Sequence, residues 1–201
     1  VHEVACVIIT GAGKAFSAGH DLKDIQKGER QPEPHFQAKI IQALAELPQP
    51  VVACIRGHCY TGGLELALAA DIIIDARSAK FGDTHSKWGL SPLWGMTQRL
   101  PRRVGLSKAK QMMFTSDIFA AEAAERMGLV DICVDDVELE QATNDLAQRI
   151  AANSTYSNQV NKGLLSATDG MTAQAGLAYE LAHSPGACYD AHERVASFGK
   201  K

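Results

Sequence analysis

Residues 50–74 read PVVACIRGHCYTGGLELALAADIII, and this stretch decides the fold class. The apolar run PVVACIRG (50–57) predicts a buried strand. Gly62 and Gly63 then open GGLELALAA (62–70), a helix that is apolar almost all round. DIIIDA (71–76) follows as another strand, and its unbroken isoleucines call for burial on both faces, as inside a parallel sheet. Working outward, VACVIIT (4–10) predicts an earlier strand and LVDICV (129–134) a later one. Phe36, Ile40, Ile41, Leu44 and Leu47 recur at helical spacing between His35 and Leu47, where Pro48 and Pro50 end the helix. GERQPEP (28–34) is polar and proline-bearing, the signature of an exposed loop. Beyond Ser107 the chain turns mainly helical, through KAKQMMF, AAEAAERMG and the run from Val137 to Ala152. Strands alternating with helices, then a helical tail, predict an α/β core with a helix-rich C-terminal part.

Composition excludes several classes of function. The 201 residues are 46% apolar and 21% charged, which suits one globular domain or one domain with a small appendage. Net charge is −3, and the longest basic run is the Arg102-Arg103 pair, so no nucleic-acid partner is expected. Five cysteines are scattered without a C-x-x-C pair and read as reduced core thiols, giving a cytoplasmic expectation. No stretch is long enough to span a bilayer, no signal peptide is recognised, and no membrane partner is expected. Histidines, cysteines and acids show no metal-ligand spacing, so no metal is expected. The chain enters VHEVACVIIT without a Met, from which preceding sequence is expected to be absent.

TGAGKAFSAGHD (10–21) follows the first strand and invites a phosphate-binding reading. That reading fails. A phosphate loop needs glycine where Ile8 stands and a hydroxyl residue where Ala15 stands, and the dinucleotide fingerprint needs glycine at Phe16. The glycines therefore serve some other purpose.

Glu65 is the one polar residue between Leu64 and Ala70. In the first turn of its helix it can complement the positive end of the dipole, worth some tenths of a kcal/mol to about 1 kcal/mol. It can also act as a general acid or base whose protonation is tuned by burial. Gly62-Gly63 beside it favours the second role, since the unpaired N–H groups of a helix start can stabilise a developing oxyanion. SAGHD can supply a second such N–H. Two amides from separate loops with a carboxylate nearby suit chemistry through an enolate.

These residues resemble the crotonase superfamily, which includes the enoyl-CoA hydratases and isomerases. VIITGAGKAFSAGHDLK is similar to its first signature, PVVACIRGHCYTGGLELALAADIII to its second, and FGDTHSKWGLSPLWGMTQRLPRRVG to its third. The likeness runs through essentially the whole chain. It implies a spiral of strand–strand–helix turns over residues 1–135, whose usual N-terminal hairpin is missing here, and a helical trimerisation region over 136–201. It also implies homotrimers or dimers of trimers and an acyl-CoA substrate, with no cofactor beyond the coenzyme A of that substrate. By motif position the oxyanion hole would be the amides of His20 and Gly62, and Ala18, Asp21, Leu22 and Lys23 would line the coenzyme A side.

Glu65 falls on the first of two acids that the hydratases use, whereas His85 occupies the place of the second. A further position, acidic in dienoyl-CoA isomerases and some dehalogenases, is Leu93. The catalytic candidates are therefore Glu65 and His85, with His85 either carrying protons in place of the missing acid or serving as a hydrogen-bonded cleft residue. Asp83 is expected to turn or cap the local loop, and His58 to be structural. Trp88 and Trp94 are expected either around the acyl pocket or at a trimer contact. The implied activity is that of an acyl-CoA lyase, an enoyl-CoA hydratase. Decarboxylation or isomerisation of an acyl-CoA is the alternative on the same enolate, and a non-catalytic acyl-CoA-binding scaffold is the alternative of another class.

Overall fold

The computed structural model describes residues 4–28 and 32–198. Residues 29–31 of the expected 28–34 loop, like those at either end of the chain, lie outside the described residues. The order of elements is β1 (Val7–Thr10), α1 (Leu22–Lys27), α2 (Phe36–Ala45), β2 (Val51–Ile55), β3 (His58–Tyr60), α3 (Gly62–Ala67), β4 (Ile72–Ala76) and β5 (Lys80–Gly82). A 3-10 turn at Ser86–Trp88 leads to α4 (Met96–Val104), α5 (Leu106–Thr115), β6 (Phe119–Ala120), α6 (Ala121–Arg126) and β7 (Ile132–Val134). The chain continues as α7 (Leu139–Ala152), α8 (Thr155–Thr168), α9 (Ala173–His183) and α10 (Ala191–Ala196).

From β2 to β5 successive strands alternate between two sheets, as in a spiral of strand–strand–helix turns. One sheet has the order β1-β2-β4-β7 and the other β3-β5-β6. β2 runs parallel to β4, β4 to β7, and β3 to β5. Every residue of β2 is buried, as are the last four of β4, so these two apolar runs are covered on both faces, whereas β1 alternates between partly buried and exposed residues. The strands are shorter than the runs that predicted them. Gly57, at φ +57°, turns the chain directly after β2, and its carbonyl accepts from Lys80 N–H at 2.8 Å to start β5. Gly57 thus links the two sheets.

The chain divides into two compact units. The larger, Ile8–Leu47 with Val51–Asp145, holds both sheets and the helices that flank them. The smaller gathers the segment up to Val7, Pro48–Pro50 and the chain from Leu146 onward. In it Ser154 caps α8 by accepting from Ser157 N–H at 3.1 Å and donates to Asp190 at 2.8 Å, while Arg194 donates to the other Asp190 oxygen at 2.6 Å. Leu165, Leu177, Leu181 and Val195 are exposed on α8, α9 and α10, as is Phe198 just beyond them.

One glycine contact has a direct test. A Cβ on Gly63 would collide with the carbonyl oxygen of Ser17 and lie 2.8 Å from its Cβ. Ser17 is bridged to β3, donating its N–H to His58 O at 2.9 Å and accepting from Tyr60 N–H at 3.0 Å, so it has little room to retreat. Gly63→Ala is expected to destabilise the protein by about 1–3 kcal/mol, visible as a lowered midpoint in urea unfolding; an unchanged midpoint would contradict this packing.

Candidate active site

The start of α3 is built on a strained residue. Thr61 has φ 53° and ψ −113°, a region that side-chain-bearing residues avoid and β-branched ones avoid most. Its N–H donates to Gly82 O at 2.9 Å, and its Oγ1 lies 2.6 Å from Thr84 Oγ1 and accepts from Thr84 N–H at 3.2 Å. Strain held in this way is typical of functional loops. Here it aims the first turn of α3, where the leading N–H groups have no intrahelical partner. Gly62 must be glycine because a Cβ there would run into the Trp94 ring.

The SAGHD loop comes up to the same point. Gly19, at φ +97°, passes so close that a Cβ on it would lie 3.1 Å from Tyr60 O and 3.2 Å from Gly62 N. The next residue, His20, lines a cavity of about 270 Å³ together with Gly62, Glu65 and His85. Ala18, Leu22, Thr61, Thr84, Trp88, Leu93 and Trp94 also line it, so both tryptophans stand at the cavity. Asp21 and Lys23 are outside the lining. Asp21 is the N-cap of α1, where its Oδ1 accepts from Lys23 N–H at 2.8 Å.

Glu65 is 1% exposed. Its Oε1 accepts from Trp94 N–H at 2.8 Å and from Met96 N–H at 3.1 Å, the turn that enters α4. Arg99 braces that turn by donating to Trp94 O at 2.7 Å, and its second nitrogen reaches Gln42 at 2.6 Å. With Oε1 so held, Oε2 lies 3.8 Å from His85 Nε2. Burial raises the Glu65 carboxyl above its ordinary value, against the opposing pull of the Met96 and Trp94 N–H groups. A carboxyl fixed by backbone donors, raised by burial and open to a cavity on one oxygen is suited to taking and returning a proton.

Asp83 does more than turn its loop. Its Oδ1 accepts from His85 N–H at 3.2 Å, the local role expected from sequence, and also lies 2.5 Å from His85 Nδ1. Asp83 is fully buried and its Oδ2 has no hydrogen-bond partner among the described residues. Three consecutive residues, Asp83, Thr84 and His85, thus hold the imidazole, brace Thr61 and face Glu65. Elsewhere, the exposed His58 lies 2.8 Å from the Tyr60 hydroxyl. Burial pushes the Cys59 and Cys133 thiols up, the latter to about 12, which makes them inert at neutral pH. No group of histidines, cysteines and acids among the described residues is arranged to hold a metal ion.

The model of the enoyl-CoA hydratase/isomerase family matches residues 2–195. The chain belongs to this family. Members of the enoyl-CoA hydratase/isomerase family similar to it include a probable mitochondrial enoyl-CoA hydratase of Dictyostelium discoideum. The two are 34% identical over 203 residues, which is 99% of this chain and 73% of that protein. A crotonyl-CoA hydratase of Syntrophomonas wolfei is 34% identical over 98% of this chain and 78% of its own length. Among solved structures of the family, an enoyl-CoA hydratase from Bacillus anthracis superposes with a TM-score of 0.88 at 35% identity, covering 97% of this chain and 78% of that one. The fold is therefore that of the crotonase superfamily, as the three signatures imply.

Sequence reasoning placed Glu65, His85, His20 and Gly62, which the structure gathers on one cavity. It did not anticipate the bond from Asp83 to the imidazole, the strain at Thr61, or the Trp94 and Met96 amides on Glu65. For Asp83 a signal was present, since an acid two residues before a histidine can reach both its backbone and its ring.

Proposed function

We propose that this chain is an enoyl-CoA hydratase, adding water across the double bond of a 2-enoyl-CoA thioester. The observation that carries the proposal is the single cavity lined by Glu65, His85, His20 and the start of α3. The thioester oxygen accepts from the amides of His20 and Gly62. Glu65 takes a proton from water as the water oxygen bonds to the β-carbon. The double-bond electrons move toward the α-carbon and the thioester oxygen, giving an enolate that the two amides stabilise. The α-carbon then receives a proton from Glu65 or through His85, so one water is consumed and the carboxylate is restored. Ala18, Asp21, Leu22 and Lys23 lie toward the coenzyme A moiety, and Trp88 and Trp94 wall the acyl portion. Coenzyme A enters as part of the substrate, and the mechanism uses no other cofactor.

Steady-state assays that offer crotonyl-CoA and, separately, a malonyl-type thioester test this reading. Hydration of the enoyl ester is expected. Decarboxylation without hydration would move the reaction elsewhere on the same enolate, and calorimetric binding of coenzyme A esters without turnover of any would make the chain a binding module.

The exposed apolar residues of α8, α9 and α10 support association of identical chains. A trimer or dimer of trimers is expected in light scattering after size exclusion, and a monomer at micromolar concentration would contradict it. No helix among the described residues is long and apolar enough to cross a membrane. Cys6, Cys54, Cys59, Cys133 and Cys188 are not joined in disulfides, which suits a reducing, cytoplasmic compartment.

A further inference from the structure

We propose that Asp83 is a positioning residue that fixes the protonation pattern of His85, so that Glu65, His85 and Asp83 work as one proton-handling chain. The inference rests on the hydratase reading for its kinetic test and on geometry alone for its structural one. An ionised carboxylate only accepts hydrogen bonds. With Asp83 Oδ1 2.5 Å from His85 Nδ1, that nitrogen is the donor, and in the neutral ring Nε2 is left with its lone pair. Nε2 is the atom turned toward Glu65, 3.8 Å from Oε2, a separation beyond a direct hydrogen bond.

The consequence is chemical. A lone pair on Nε2 and an oxygen of Glu65 are two acceptors facing one side of the cavity. Water held by both has its two protons engaged and an oxygen lone pair free for the β-carbon. With the proton on Nε2 instead, the ring would donate to that water and compete for the lone pair that must attack. The acid missing from the place His85 occupies is thus replaced by a pair, a ring that accepts and a carboxylate that makes it accept.

The surroundings fit this role. Asp83 is fully exposed to neither solvent nor a cation: it is buried, no lysine or arginine pairs with it among the described residues, and Oδ1 receives both the backbone and the ring nitrogen of His85. On the far side Glu65 cannot swing toward the ring to replace it, because the Trp94 and Met96 amides hold Oε1. Thr84, between the two, is tied to Thr61, so the loop carrying the pair is registered to the start of α3.

Three readouts on the intact protein test the proposal. Asp83→Ala removes the acceptor and is expected to lower kcat for hydration by up to about a hundredfold with little change in KM, the scale of a misplaced reacting group. Asp83→Asn keeps an oxygen where the two N–H groups converge and is expected to restore most of the rate. In a His85→Gln background Asp83→Ala is expected to add no further loss, because its effect passes through the ring. Nitrogen-15 NMR of histidine-labelled wild type is expected to find the His85 proton on Nδ1, and Asp83→Ala to shift it toward Nε2. The proposal is overturned by a wild-type proton on Nε2, by equal losses in Asp83→Ala and Asp83→Asn, or by losses that add to that of His85→Gln. Should the wild type turn over no enoyl ester, the hydratase reading fails and the imidazole signals alone decide: a proton on Nδ1 that depends on Asp83 sustains the positioning role, and one indifferent to Asp83 ends it.

Discussion

Glu65→Gln is expected to reduce kcat for hydration of crotonyl-CoA by about 10²–10⁴-fold, the usual contribution of a positioned acid or base. Glutamine matches the carboxylate in shape and can still accept from the Trp94 and Met96 amides, so substrate binding should change little. The same substitution should raise stability at neutral pH. The folded-state Glu65 carboxyl titrates above its ordinary value because it is buried. Its favourable contribution is therefore complete below the unfolded value and is lost as pH rises through the folded one. Removing the charge removes that loss. A residue that only complemented the helix dipole would behave in the opposite way, with activity intact and up to about 1 kcal/mol of stability lost on neutralisation. Rate and melting temperature measured together separate the two roles, and equal rates in wild type and variant would take Glu65 out of the mechanism.

Asp75→Asn should have the largest effect on the pH dependence of stability, far from the chemistry. Asp75 is fully buried in β4, opposite Cys133 of β7, whose thiol faces its carboxyl as a weak donor. Burial raises its carboxyl from 3.8 to about 7, with the Cys133 thiol pulling the other way. The folded protein thus holds this proton more tightly than the unfolded chain does, and stability falls as pH rises from about 4 through 7. The whole interval corresponds to at most about 4 kcal/mol. Urea unfolding at pH 5 and pH 8 checks this. The wild type should lose stability between the two, and Asp75→Asn should flatten the change and be the more stable protein at pH 8. Parallel curves for the two proteins would show that Asp75 does not titrate in this range.

Long apolar runs made the parallel sheet legible in the sequence. VVACI and IIIDA needed burial on both faces, and only strands between layers supply it. The second sheet was not legible, because β3, β5 and β6 are two or three residues long, too short for alternation to register. Helix limits shifted for local reasons: α3 ends at Ala67 although LALAA continues the apolar pattern, since the chain must turn before β4 begins at Ile72. In the site, the residues that announced themselves were those at odds with their neighbours, an acid in an apolar helix and glycines ahead of it. Those that stayed hidden act through the backbone or across the chain. Trp94 and Met96 offer amides that any residue has, and Thr61 is strained by its fold rather than by its identity. The spacing of Asp83 and His85 allowed their pairing, and the ring's direction selected it.

The decisive position is that of the thioester oxygen, which a crystal structure of the protein with butyryl-CoA locates directly. The expected result has that oxygen within about 3 Å of both the His20 and Gly62 amide nitrogens, with Glu65 Oε2 and His85 Nε2 facing the α- and β-carbons. A thioester oxygen bound away from those two amides, or an acyl chain that leaves Glu65 on neither carbon's side, would contradict it.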